Sequence, residues 1–372
     1  MNLSFLGARA GGVGRYAREL PGALLAVEPE TEIVVFIAGD SPLDLRDEPW
    51  AEHVRWCTLP LAAGSQQLAL AQYLALPALA AARRLDVLHS PGNAGPVITP
   101  GVASVVSLMD LIWLRRADEW DPDPRAQRAM RRWVNHSVRH ADRVFAISRA
   151  AADDFTASLG LEPARIVVTP LGVRPSGATA APESEIRRRL DLGGSRVLLC
   201  IGQKRQYKNQ ERLIRSLASL DPDVILVLPG SRTGYEDRLR DTAAELGVSS
   251  RVRMPDWLSE AELAGLYTLS DVFALPSLIE GFGLPVLEAM VHGLPVACSD
   301  IPALREVCGE AALLFDPEDQ KSIDCSLQRL LADVALRRRL TRRGHEHART
   351  FSWENTARAS LKGYRAAVSA SH

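Results

Sequence analysis

Apolar runs of strand length alternate with amphipathic stretches of helix length along most of this chain, in two successive series. The first predicts buried strands at 3–6, 33–38, 86–89, 104–108, 144–147 and 166–169, with helices at 15–27, 66–84 and 124–140. The second predicts strands at 197–201, 224–228, 252–254, 272–275, 295–298 and 312–315, with helices at 210–220, 234–246, 260–269 and 285–292. Unbroken Val, Ile and Leu runs suit parallel strands covered on both faces. Strand–helix alternation specifies βαβ units, and hence doubly wound α/β sheets. Residues 170–185, rich in Pro, Gly, Ala, Ser and Thr, read as a linker between the series. A last helix is predicted over 353–370. At 372 residues the chain is long enough for two cores. Sheets of this kind bind ligands outside the carboxyl ends of their strands.

Composition removes several function classes. Lys plus Arg is 44 against 45 Asp plus Glu, and 47% of residues are hydrophobic. That balance excludes a disordered tail and a nucleic-acid binder held mainly by net charge. Cys57, Cys200, Cys298, Cys308 and Cys325 are odd in number and form no CxxC, so a reducing compartment is expected. The first residues lack the charge and apolar length of a signal peptide. The longest apolar stretch, 68–82, is too short and too interrupted to span a bilayer. A cytoplasmic protein is expected. Only Lys204, Lys208, Lys321 and Lys362 are lysines, so the pair at 204 and 208 stands out among arginines.

The densest chemistry lies in Glu280-Gly281-Phe282-Gly283-Leu284-Pro-Val-Leu-Glu288, directly after the predicted strand 272–275. Glycines let backbone amides approach a ligand, and proline at the first helical position favours helix entry. The helix N-terminus then attracts an anion such as a diphosphate. Glu280, in the turn, can accept from hydroxyls, and Glu288, one turn into the helix, can accept from a ribose. The alternative is a capped helix with surface glutamates.

This segment resembles the E-x7-E motif of retaining glycosyltransferases of family GT4. The resemblance extends over nearly the whole chain in family order: GGVGRY at 11–16, ADRVFAIS at 141–148, IVVTPLGV at 166–173, Lys208-Asn209, residues 293–317, and SWENTA at 352–357. It implies the GT-B fold, two doubly wound Rossmann-like domains facing a central cleft. Residues 1–172 would bind the acceptor and 173–352 the donor, with the helix 353–372 packing back on the first domain. It further implies transfer of a hexosyl or deoxyhexosyl group from a nucleotide diphosphate sugar (GDP-, UDP- or dTDP-linked). The acceptor would be a hydroxyl of a glycan, lipid-linked sugar or small metabolite. Retention of configuration is implied, with no metal and no other cofactor. A catalytically inactive homologue that binds a sugar nucleotide or a partner protein is the alternative reading.

The resemblance also distributes roles. Lys208 and Glu280 would carry catalysis, Lys208 by meeting charge on the leaving diphosphate. Many relatives have an arginine shortly after the glycine of this loop. Here the place is Gln203, so Lys204 or Arg205 is expected to supply the second cation. Gly11 and Gly12, in a loop before the helix 15–27, would close over the donor phosphates. The loop fails the GxGxxG spacing of a dinucleotide fingerprint. Leu258 would offer backbone contact to the donor base. Relatives commonly have His-Asp where this chain has Met109-Asp110, and a thioether neither donates strongly nor carries a proton. That substitution favours the inactive alternative. His89 and Asp110 are candidate acceptor contacts, or a structural histidine and a loop cap. Residues 125–143 hold six arginines and Trp133, with 125, 128, 132 and 139 near one helical face. They read either as a solvated basic helix or as a peripheral membrane contact.

Overall fold

The computed structural model describes residues 1–4, 11–39, 45–60, 66–120, 123–175 and 177–371. The chain divides into two compact units, residues 1–172 with 351–372, and residues 173–350.

In the first unit, β1 (Val34–Ala38) pairs in parallel with β2 (Arg55–Leu59). A parallel four-stranded sheet runs β3 (Val87–Ser90), β4 (Ala103–Leu108), β5 (Arg143–Ala146), β6 (Ile166–Val168). Residues 1–4 join the two. The Leu3 amide donates to Phe36 O at 2.8 Å, and the Asn2 amide donates to His89 O at 2.7 Å. Phe5 and Leu6 of the expected first strand lie outside the described residues. All of β1 and β4 is buried, and β1 is a continuous apolar run of the kind that parallel strands covered on both faces require. β2 was not anticipated. Its Arg55 and Thr58 are exposed, so it carries no apolar run.

The helix Gly11–Val27 begins four residues before the expected start, which corrects the reading of Gly11–Gly14 as a loop. Gly11 takes φ +51°, which only glycine adopts freely, and hands the chain into the first turn. The terminal helix Trp353–Ser371 belongs to this unit and covers the sheet. A Cβ on its Gly363 would overlap the Phe145 ring, and Tyr364 stacks on that ring at 5.5 Å. Thr356 Oγ1 donates to Pro170 O at 2.6 Å.

The second unit holds one six-stranded parallel sheet in the order β12-β11-β10-β7-β8-β9. These strands are β7 (Arg196–Leu199), β8 (Val224–Val227), β9 (Val252–Arg253), β10 (Val272–Leu275), β11 (Val296–Ser299) and β12 (Ala312–Phe315). The chain builds outward from β7 to β9, then returns to start β10 on β7's other side. Loops leaving β7 and β10 therefore diverge, and such a switch point opens a crevice at the carboxyl edge. Helices at Pro302–Cys308, Gln320–Ala332 and Val334–Ala348 were not anticipated, nor was Arg149–Leu159 in the first unit. The helix Glu183–Arg189 begins inside the expected linker. No helix among the described residues is long and apolar enough to cross a membrane.

Candidate functional site

The switch point between β7 and β10 is where Lys208 and Glu280 meet. The loop after β7 runs through one 3-10 turn, Gln206–Lys208, then Asn209 in the left-handed region at φ +56°. The helix Gln210–Ser216 follows at once. Asparagine tolerates that backbone better than most residues. Its side-chain amide donates to Pro276 O at 3.0 Å and Pro317 O at 2.9 Å. One carboxamide thus fastens together the segments following β7, β10 and β12. The Leu278 amide adds a bond to Tyr207 O at 2.8 Å.

Held this way, Lys208 Nζ donates to Glu280 Oε1 at 2.6 Å, with side chains only 14% and 9% exposed. The fully buried Ser277 hydroxyl donates to the same oxygen at 2.8 Å. Burial works against the Lys208 charge, but the adjacent Glu280 carboxylate outweighs it and raises the pKa above the ordinary lysine value. The raised pKa keeps Lys208 as an ammonium. Glu280 Oε2 has no protein donor among the described residues.

The turn after Glu280 is built for close approach. Gly281, Phe282 and Gly283 are buried and Leu284 is half-buried. Gly283 takes φ +107°, and a Cβ there would overlap Leu304 Cδ2. The helix Leu284–Val291 starts at Leu284, placing Pro285 second rather than first. On this helix Glu288 is half-buried and accepts from the buried Tyr267 hydroxyl at 2.9 Å. The Tyr267 ring stacks on His292 at 4.9 Å.

Lys204 corrects an expectation. Its side chain is fully buried, and Nζ donates to the carbonyls of Gly230 and Pro255. Burial draws its pKa down to about 8. It braces the loops after β8 and β9 rather than offering a second charge to a phosphate. Arg205 is half-buried, with Nε donating to Gln203 Oε1 at 3.2 Å. Leu258 is buried just before the helix Glu260–Leu269, whose capping box is made by Ser259 and Glu262.

The remaining candidates sit in the first unit. Gly11 and Gly12 are exposed at the start of their helix, and a Cβ at either would meet nothing within 4 Å. Met109 is buried, with its amide donating to Asn93 Oδ1 at 2.7 Å, so the thioether is core and not an acceptor contact. Asp110 Oδ1 accepts from the Ile112 amide at 3.0 Å, a local turn just before the short helix Ile112–Arg115. His89 is buried, with Nε2 bonded to Ser107 Oγ and Nδ1 to the Tyr364 hydroxyl, both at 2.7 Å. Both ring nitrogens are used inside the unit, so the expected acceptor contact gives way to a structural histidine. Ser277 and Tyr267 escaped sequence reasoning, although Tyr267 lies in the helix Glu260–Leu269 and Ser277 in the loop between β10 and Glu280.

Two family models cover most of the chain. Residues 182–347 match the group 1 glycosyl transferases, and residues 11–172 match the glycosyl transferase 4-like domain. A D-inositol 3-phosphate glycosyltransferase of Actinosynnema mirum is 32% identical over 302 residues, 75% of this chain and 72% of the relative. The chain belongs to the group 1 glycosyltransferase family.

Another family relative, the O-antigen chain mannosyltransferase B of Escherichia coli, is 30% identical over 66% of each chain. A D-inositol 3-phosphate glycosyltransferase of Salinispora tropica is 34% identical, and the match spans 66% of this chain but only 55% of the relative. Among solved structures, sucrose-phosphate synthase of Thermosynechococcus elongatus superposes with a TM-score of 0.74 at 21% identity, covering 98% of this chain and 95% of that one. HepE of Anabaena, solved with UDP and glucose, gives 0.74 at 18% identity over 97% of both chains. This group 1 member has the GT-B fold, each of its units carrying a Rossmann-like parallel sheet.

Proposed function

We propose that this chain transfers a hexosyl or deoxyhexosyl group from a nucleotide diphosphate sugar to an acceptor hydroxyl, with retention at the anomeric carbon. The observation that carries this reading is the Lys208–Glu280 pair at the switch between β7 and β10. A buried ammonium has three donors, and one is spent on Glu280. The others meet the leaving diphosphate, where charge grows as the sugar departs. No metal is required for that step. Glu280 Oε1 is saturated by Lys208 and Ser277, and Oε2 is the oxygen offered to the sugar's hydroxyls. Glu288, oriented by Tyr267, receives the ribose.

The bond from acceptor oxygen to anomeric carbon forms on the face from which the phosphate oxygen departs. That phosphate oxygen takes the acceptor's proton, and positioning and electrostatics account for the rate. Relatives named as mannosyltransferases and inositol phosphate glycosyltransferases support a sugar donor, as does a structural neighbour holding UDP and glucose. The first unit is assigned the acceptor and the second the donor.

Membrane contact is assigned to the helix Pro124–His140, in keeping with a cytoplasmic protein working at the inner membrane face. Exposed Met130 and Ile98 (45% and 68% exposed) accompany its arginines, and Ile98, Arg132 and Trp133 line one shallow hollow. Transfer assays with GDP-, UDP- and dTDP-sugars, read by NMR of the product anomeric proton, test the central reading. Transfer that survives in Glu280→Ala, or an inverted product, overturns it.

A further inference from the structure

A second charged hollow lies in the second unit, at the opposite edge of its sheet. It is lined by Ser270 and Asp271 before β10, by Gly293 and Pro295 before β11, and by one face of the helix Val334–Ala348. Glu280 follows β10, whereas Asp271 precedes it, so the hollow and the Lys208–Glu280 site stand at opposite ends of the same strand. Its volume is about 810 Å³, ample for a small anion.

The helical wall has a regular pattern. Arg338, Arg342, His345 and Arg349 recur at spacings of four, three and four, which places them along one face. All four are exposed and all line the hollow. Like charges four apart, as at Arg338 and Arg342, oppose helix formation, so such a stripe is costly without a counter-charge. The hollow's own carboxylates do little to supply one. Asp271 Oδ2 accepts from the Val197 amide at 2.8 Å, and Glu346, exposed on the same wall, makes no ion pair with these arginines among the described residues. Arg337, which also lines the hollow, is anchored to the carbonyls of Leu330 and Leu331 at 2.8 and 2.7 Å.

We infer that this hollow is a binding site for a phosphate-bearing anion, held by Arg338, Arg342 and Arg349 with His345 beside them. Guanidinium forks match phosphate oxygens in pairs, which suits the planar donors of a spaced arginine row. The ligand chemistry is a phosphate group, free or on a lipid headgroup, and its place is separate from the sugar-nucleotide site.

The test titrates the full chain with inorganic phosphate by calorimetry. In parallel, sedimentation compares vesicles of phosphatidylglycerol with vesicles of phosphatidylcholine. Arg338→Glu/Arg342→Glu is expected to weaken phosphate or phosphatidylglycerol binding at least tenfold, with Arg338→Gln/Arg342→Gln giving a smaller loss in an unchanged fold. Lys208→Ala is expected to leave that binding intact. Loss in the calorimetric arm identifies a free anion, and loss in the vesicle arm alone identifies a headgroup. Binding that is absent in both arms, or unaltered by both double variants, overturns the site. Phosphate binding that disappears in Lys208→Ala overturns it too, by assigning the anion to the switch point.

Discussion

Lys208 Nζ and Glu280 Oε1 lie 2.6 Å apart although 72 residues separate them in the chain. Each is nearly inaccessible, so neither charge tolerates loss of the other. Lys208→Ala is expected to lower kcat/KM for sugar transfer by about 10²–10³, the usual consequence of removing one stabilising donor. Glu280→Gln, which keeps shape but not charge, is expected to lose activity while folding. The double variant is expected to fall well short of the product of the two single losses, because the groups act as one unit. Steady-state kinetics on the four proteins check this.

Asn209 offers a cleaner separation of positioning from chemistry. Asn209→Gly retains the left-handed backbone but loses both amide bonds, to Pro276 O and Pro317 O. Stability is expected to fall by about 1–3 kcal/mol, the cost of leaving such carbonyls unpaired. kcat is expected to fall more than substrate affinity, since Lys208 is the residue displaced. Urea denaturation together with separate kcat and KM measurements reads both effects.

Gly230 is set against the β7 loop at φ +147°, and a Cβ there would overlap the carbonyl oxygen of Gly202. Backbone, unlike a flexible side chain, has little room to yield. Gly230→Ala is expected to cost about 1–3 kcal/mol in strain alone and to push the Gln203–Lys208 loop out of place. A fall in Tm with loss of nucleotide protection is the expected result.

His89 gives the first unit an acid limit. Burial lowers its pKa from the ordinary 6.5 to about 3. Between those values the unfolded chain binds the proton that the folded chain refuses. Stability therefore rises with pH through that window and is lost as pH falls from 6.5 toward 3. His89→Gln is expected to flatten this dependence relative to the parent in denaturation experiments at pH 4, 5 and 7.

Much of this architecture is legible in the sequence for a simple reason. Strands such as β1 and β10 are buried along their whole length, so their apolar runs are uninterrupted. An edge strand such as β2 shares its composition with loops, and was invisible. Glu280 and Lys208 were legible because their types and positions are tied to the turn that presents them. Lys204 was not, because a loop lysine's direction depends on carbonyls at Gly230 and Pro255, 26 and 51 residues away. Met109 and His89 are similar: position, by resemblance for Met109 and at a strand end for His89, suggested an acceptor contact, and only the surrounding helix and sheet show them closed in.

The terminal helix makes the first unit discontinuous in the chain. Its contact from Thr356 to Pro170 spans 186 residues, and its Gly363 and Tyr364 pack on Phe145. During synthesis, which runs from the N-terminus at about 5–20 residues per second, the second unit is therefore complete first. The first sheet waits, one face uncovered, for the helix Trp353–Ser371 to leave the ribosome. A chain stalled or clipped before Trp353 carries a finished second unit and an unfinished first unit, and exposed sheet of that kind is what chaperones and proteases recognise.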